Sequence, residues 1–142
     1  MRYSREELIR FRHCDPAGIV FYPRYLEIVN DTVEDWFEHM GFAFKTMQQR
    51  FGAGVPTVNL NIRFASPCRQ GDRLQLSLVC NRIGDSSIVL SIRSAQADNP
   101  VFEAEVVLCF TSIGERVEKL SIPAEIRHQI QQYLDETIAA TA

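Results

Sequence analysis

The sequence predicts an α+β domain in which an antiparallel sheet wraps one long apolar helix. Two patterns carry this reading. Residues 22–40 place apolar side chains at helical spacing, in a stripe too wide to leave uncovered. Residues 58–110 then alternate polar and apolar with period two, in four runs separated by turn residues. The chain has 142 residues, so it fits one domain, 1–142. A domain of this size buries ~70% of its unfolded surface and needs no disulfide or metal staple.

In chain order, residues 5–12 mix charged and apolar positions with Ile9 and Phe11 on one face, which predicts a first strand. An Asp-Pro-x-Gly turn follows. A helix is expected over 22–40, with Pro23 in the first turn, where its missing N–H costs nothing. Its stripe is Tyr22, Tyr25, Leu26, Val29, Val33, Trp36, Phe37 and Met40, and Gly41 ends it. A short helix is expected within 42–51, broken by Gly52 and Gly54.

Val58, Leu60, Ile62 and Phe64 form the first alternating run and Leu74, Leu76, Leu78 and Cys80 the second. Ile88, Leu90 and Ile92 make the third, and Phe102, Ala104, Val106, Leu108 and Phe110 the fourth. Turns at 67–72, 84–86 and 98–100 imply an antiparallel meander. Pro123 starts a closing helix with Ile126, Ile130, Tyr133 and Leu134 as its stripe, and the tail after Thr137 is expected to fray. Strand, long helix, four antiparallel strands and closing helix make the layout of the hotdog fold.

Several function classes drop out. The net charge is −3 and the 15 Lys and Arg are scattered, so there is no basic field for nucleic acid. No segment approaches the ~20 apolar residues of a membrane span, and the N-terminus lacks the apolar core of a signal peptide. Cys14, Cys68, Cys80 and Cys109 show no metal-ligand spacing and read as reduced thiols of a cytoplasmic protein. Cys80 and Cys109 fill strand cores; Cys14 reads as a small side chain beside the turn. No metal and no cofactor are expected.

The chemistry concentrates in residues 15–25. Asp15 sits on a Pro/Gly turn that opens into the long helix, whose free N–H groups favour negative charge. A carboxylate facing a helix start is the minimum equipment for acyl-transfer hydrolysis: it attacks or activates water, and the N–H groups hold the oxyanion. The bland reading is that Asp15 only caps the helix. His13 is a second candidate acid–base group, though more often such a residue is a solvated or hydrogen-bonded strand-end side chain. Tyr22, Tyr25 and Trp36 could line an aromatic pocket but at helical spacing are more often core, and Arg63 and Arg82 are more often solvated than phosphate-bound.

Asp15-Pro16-Ala17-Gly18-Ile19-Val20, followed by Tyr22-Pro23-x-Tyr25, closely resembles the signature of the 4-hydroxybenzoyl-CoA thioesterases, hotdog enzymes with an Asp on the loop before the central helix. The resemblance extends weakly over most of the chain, through Gly54-Val55-Pro56 and Gly71-Asp72. General acyl-CoA thioesterases with the same Asp and Gly usually carry Tyr-His where this chain has Tyr22-Pro23, which leans the resemblance to the aromatic branch.

By that resemblance, Asp15 is the catalytic carboxylate and the Tyr22 backbone N–H polarises the thioester carbonyl. Gly18 lets substrate approach the backbone. Val55, Pro56 and Thr57 line the acyl and pantetheine channel, and Ser87 lies near the coenzyme A end. The implied substrate is an acyl-CoA, aryl such as 4-hydroxybenzoyl or short acyl, cleaved to free acid and coenzyme A. The implied assembly is a homodimer or homotetramer with sites between subunits. The family's basic run before its fourth strand is here Asn81-Arg82-Ile83-Gly84-Asp85, which leaves a carrier-protein phosphopantetheine open as the acyl carrier. A general aliphatic thioesterase and a non-catalytic acyl-binding module also stay open.

Overall fold

The computed structural model describes residues 1–135; the expected fraying after Thr137 lies outside the described residues. Strand β1 (Tyr3–Leu8) opens the chain. It is shorter than the expected 5–12, because Ile9 is captured by a distant loop. The Ile9 N–H donates to the Asp72 carbonyl (2.8 Å), and the Gly71 N–H donates back to the Ile9 carbonyl (2.8 Å). Phe11–His13 then form one 3-10 turn. Ile9 is buried but Phe11 is 79% exposed, so the two do not share a face.

Helix α1 (Pro23–His39) falls where the spacing predicts. Tyr25, Ile28, Val29, Thr32, Val33, Trp36 and Phe37 are its buried side. Each large apolar side chain here contributes about 1.5–3 kcal/mol on full burial. The expected stripe is displaced at its start: Tyr22 is 61% exposed, and Leu26 is only half-buried. Ile28 and Thr32 take the inner positions. Thr32 is tolerated there because its hydroxyl donates to the Ile28 carbonyl (2.8 Å) and accepts from Arg5 Nη1 (2.9 Å). Arg5 Nε also lies 3.0 Å from Asp35 Oδ2, so one β1 guanidinium clamps the helix to the sheet.

Helix α2 (Phe44–Phe51) ends at Gly52, whose φ of 60° suits the left-handed cap. The remaining elements are β2 (Ala53–Gly54), β3 (Thr57–Phe64), β4 (Arg73–Ile83), β5 (Ser87–Gln96), β6 (Asn99–Cys109), β7 (Thr111–Ser112) and α3 (Ala124–Gln131). The main sheet is antiparallel in order β1-β4-β5-β6-β3, and β2 pairs with β7 in a small ribbon.

This corrects the expected four-strand meander. β4, β5 and β6 do follow one another through tight turns, but β3 crosses to the far edge and pairs with β6. The 65–72 connection is too long for a tight hairpin, which leaves β4 free to accept β1 on that side. On the inner face Leu74, Leu76, Leu78, Cys80, Ile88, Leu90, Ile92, Ala104, Val106 and Leu108 pack over α1. β3 is the exception. Leu60 and Ile62 are half-buried, while Val58 and Phe64 are exposed.

Candidate active site

The 14–20 turn is closed by its own backbone. Cys14 and Val20 form an antiparallel bridge, the Asp15 N–H donates to the Ile19 carbonyl (3.0 Å), and the Gly18 N–H donates to the Asp15 carbonyl (2.9 Å). Gly18 has φ 81°, the left-handed region that favours glycine. Asp15 Oδ1 accepts the Ala17 N–H at 2.8 Å, an Asx turn. Among the described residues no cation pairs with Asp15, so the carboxylate is half spent on its own turn.

The bland reading of Asp15 as a helix cap is corrected by the same geometry. The N-cap of α1 is Tyr22, and no side chain caps it. The Arg24 and Tyr25 N–H groups donate to the Phe21 (2.9 Å) and Tyr22 (3.0 Å) carbonyls, and Pro23 has none. The expected set of free helix-start donors therefore reduces chiefly to the Tyr22 N–H, which donates to no backbone carbonyl among the described residues.

The surrounding groups hold the turn. His13 is buried, with Nδ1 accepting the Arg10 N–H (2.8 Å) and its carbonyl accepting the Phe21 N–H (2.9 Å). Burial, helped by the Arg12 charge, lowers its pKa below the usual imidazole value. His13 is thus hydrogen-bonded, as one form of the blander reading expects, but it is buried in a 3-10 turn and not solvated at a strand end. The Tyr25 hydroxyl accepts the Cys68 N–H (3.2 Å), and burial raises its pKa. Cys68, pushed up to about 11 by burial, is an inert core thiol, and so is Cys80, also pushed to about 11.

The second group of sequence-predicted residues lies elsewhere. Val55, Pro56 and Thr57 line a cleft of about 240 Å³ with Asn30 and Val33 of α1, Met47 of α2 and Leu108 of β6. Ser87 is close to this group but does not line the cleft. It pairs with Cys109, whose N–H donates to the Pro56 carbonyl (3.1 Å). Asn30 lies seven or more residues into α1, roughly 10 Å or more along its axis. The 15–22 turn and the 55–57 entry therefore occupy opposite ends of β3. Phe64 marks the first end by its rings with Tyr22 (6.4 Å) and Tyr25 (5.7 Å), and Thr57 marks the second. Eight residues of strand separate the ends by about 23 Å. One chain brings Asp15, Gly18 and Tyr22 together, and Val55, Pro56 and Thr57 together, but not the two groups with each other.

Sequence reasoning missed Asn30 on the cleft wall, Phe64 beside Tyr22, and Arg69, whose Nη1 approaches the Gly18 carbonyl at 3.5 Å. Asn30 is a polar residue directly after buried Val29, which was the available signal. Arg69 is 51 residues from Gly18 and gave none.

A model of the thioesterase-like superfamily matches residues 9–130. The chain belongs to this superfamily. The thioesterase class read from the Asp15 motif therefore holds. The chain is 24% identical to a 1,4-dihydroxy-2-naphthoyl-CoA hydrolase of Synechococcus elongatus over 91% of this chain and 95% of that one. It is 26% identical to the 4-hydroxybenzoyl-CoA thioesterase of Pseudomonas sp. strain CBS-3 over 86% and 92%. The crystal structure of a 1,4-dihydroxy-2-naphthoyl-CoA thioesterase from Synechocystis superposes with a TM-score of 0.84 at 20% identity, covering 92% of this chain and 96% of the other. The Pseudomonas enzyme's structure gives 0.81 at 24%, covering 90% and 98%. The hotdog fold is thereby established. Among the described residues, no helix is long and apolar enough to cross a membrane.

Proposed function

We propose that this thioesterase hydrolyses an aryl or other compact acyl-CoA to free acid and coenzyme A, with Asp15 as the reacting carboxylate. The observation that carries the proposal is the half-spent Asp15 side chain on a turn that returns to the unspent Tyr22 N–H. The thioester carbonyl oxygen accepts that N–H, which stabilises the charge developing on it. Asp15 either attacks the carbonyl carbon, forming an acyl anhydride that water opens, or takes a proton from the attacking water. Both routes release the coenzyme A thiolate, and coenzyme A enters only as part of the substrate. The aryl-CoA names of the relatives and a cleft of only about 240 Å³ support a compact acyl group.

The working unit is a homodimer joined along β3. β3 is the edge of the sheet, with exposed Val58 and Phe64, and an open edge of this kind is an aggregation hazard unless paired. An antiparallel two-fold pairing sets the Phe64 end of each β3 beside the Thr57 end of the other. Asp15, Gly18 and Tyr22 of one subunit would then meet Val55, Pro56 and Thr57 of its partner, with Ser87 behind them toward the nucleotide. Four free cysteines fit a cytoplasmic setting.

A second reading of the acyl carrier has its own support. At the β4–β5 turn the Asp85 carboxylate accepts the Ser121 hydroxyl (2.9 Å to Oδ2), and Arg127 Nη2 is spent on the Gly84 carbonyl (2.8 Å). Arg82 is exposed there, and a phosphopantetheine on a carrier protein would need fewer phosphate contacts than coenzyme A. Comparing benzoyl-CoA with a benzoyl carrier protein separates the two.

Asp15→Asn tests the mechanism. Asn keeps the acceptor for the Ala17 N–H but is neither base nor anhydride former. kcat should fall by ~10²-fold or more while the melting temperature holds. Near-wild-type turnover by the folded variant would end the proposal.

A further inference from the structure

Just beyond the sheet, residues 111–120 form a hairpin that the thioesterase reading has not used. It is tied to itself with unusual economy. Thr111 bridges Lys119, the Ser112 N–H donates to the Glu118 carbonyl (2.8 Å), and Ser112 Oγ accepts the Glu118 N–H (2.9 Å). The same hydroxyl donates to the Arg116 carbonyl (3.1 Å). Gly114, with φ 111°, turns the tip. The base is fixed by β7, which pairs with β2 at Ala53 and Gly54. Ile113 packs so closely over Gly54 that a Cβ there would meet its Cγ2 at 3.1 Å. This rigid tip nevertheless presents Val117, 62% exposed, and Ile113, also exposed. Both aliphatic side chains lie exposed on one hairpin, at an end of the sheet edge that β3 leaves open.

The hairpin stands at the Thr57 end of β3. A matching apolar patch stands at the opposite end, where Phe21 and Tyr22 are both exposed and their rings lie 5.6 Å apart. In a two-fold dimer, any contact of one subunit's first patch with the other's second occurs twice. Antiparallel pairing along β3 brings these two patches together, one pair at each active site. We propose that the hairpin, through Val117 and Ile113, forms the partner-contributed wall over Phe21 and Tyr22 of the Asp15 turn, closing the site against bulk solvent while leaving room for the reacting water. Its occupant is a second copy of this chain. The inference rests on the thioesterase and edge-dimer reading above and adds an element to its site.

The first test uses mixed dimers. Subunits carrying Asp15→Asn and subunits carrying Val117→Asp are co-expressed with different tags, and the doubly tagged dimers are isolated. The Val117→Asp homodimer should lose ~10-fold or more in kcat/KM on benzoyl-CoA, the scale of opening a closed site to water. In the mixed dimer, the intact Asp15 turn of one subunit faces the intact hairpin of the other, so one of two sites is whole. About half of wild-type activity should return. Absence of rescue, with both homodimers impaired, places the hairpin in its own subunit's site and overturns the proposal. Full activity of the Val117→Asp homodimer overturns it as well. If Val117→Asp fails to dimerise, the milder Val117→Ser takes its place. The second test does not depend on catalysis. Phe21→Cys combined with Val117→Cys should give a covalent dimer on mild oxidation, which neither single variant gives. Failure of this cross-link in a protein that sizes as a dimer removes the contact even if Asp15 proves catalytic. An active Asp15→Asn homodimer with the cross-link intact would instead overturn the Asp15 mechanism and leave the contact standing.

Discussion

The two ends of β3 differ in what they would bring to the proposed site. At the Phe64 end, a tight turn uses the N–H groups of Asp15, Ala17, Gly18, Val20 and Phe21 and leaves one Asp15 carboxylate oxygen and the Tyr22 N–H at the helix start, and the Phe21 and Tyr22 side chains beside them lie open. At the Thr57 end a small cleft lies between α1, α2 and the strand entry, and among the described residues no carboxylate, histidine or cysteine lines it. In the proposed site the first end supplies charge and the second supplies shape. About 23 Å of strand keeps them apart within a subunit, so the proposed dimer joins them across the edge that β3 leaves unpaired.

The sharpest way to break that division is to keep the edge open. Val58 is 60% exposed, so Val58→Asp costs the monomer fold little but buries a charge in the β3–β3 junction. We expect sizing to shift toward the 16.2 kDa monomer and kcat/KM to fall by ~10²-fold or more, because positioning is lost. A monomer with wild-type turnover would show that one chain holds a complete site.

At the charge end, the oxyanion donor can be removed almost alone. Tyr22 has φ −53° and an N–H that no backbone carbonyl uses, so proline suits its φ and costs the fold no backbone bond. Tyr22→Pro should lower kcat by ~10²-fold, the loss of one oxyanion donor, while Tyr22→Ala, which keeps the N–H and removes only the ring beneath the proposed hairpin wall, should cost ~10-fold at most. Equal effects of the two would assign the role to the ring.

At the shape end the expected effect is on selectivity. Met47 and Val33 line the cleft, whose volume lies below the ~300–1,000 Å³ of pockets that hold larger ligands. Benzoyl-CoA should exceed palmitoyl-CoA by ~10-fold or more in kcat/KM, since a long chain exceeds the space of that cleft. The reverse order would mark a general acyl-CoA enzyme.

How much of this was legible in the sequence follows from what each feature depends on. α1 and β4–β6 were legible because their periodicity is local and both flanks of each element are covered. The position of β3 was not: Val58, Leu60, Ile62 and Phe64 alternate as a central strand would, and nothing local distinguishes a covered edge from an open one. The end of the α1 stripe was misread for a related reason. Tyr22 fits the helical period, but it lies beyond the sheet that covers Tyr25. Thr32 is inside only because Arg5 reaches it, a pairing 27 residues apart. Asp15 and Tyr22 were visible as a motif, and so were Val55, Pro56 and Thr57. That they sit at opposite ends of one strand depends on which strand β3 pairs with.

The smallest expected effect is on stability at the charge end, through His13. Its side chain is buried, and Nδ1 already accepts the Arg10 N–H, so a proton there would replace an acceptor with a donor facing a donor. Burial first, then the Arg12 charge, with a smaller contribution from Arg24, depress its folded pKa; Glu7 and Glu27 oppose the shift only in part. Unfolded chains take up the His13 proton as pH falls through the ordinary imidazole value near ~6.5, while folded chains do not. The unfolded state then binds more protons, and stability falls with falling pH. His13 therefore contributes fully above pH ~6.5 and progressively less from there down to its lower folded pKa. Moving from pH 7.5 to 5.5 should lower the melting temperature of the wild type more than that of His13→Gln, which keeps an acceptor and cannot charge. Because the His13 carbonyl also holds the Phe21 N–H beside Tyr22, proteolysis at pH 5.5 should cut near residues 11–21 before it cuts near 53–57. Equal melting shifts in the two proteins would show that His13 titrates alike folded and unfolded, and that the turn carrying Asp15 does not depend on its neutrality.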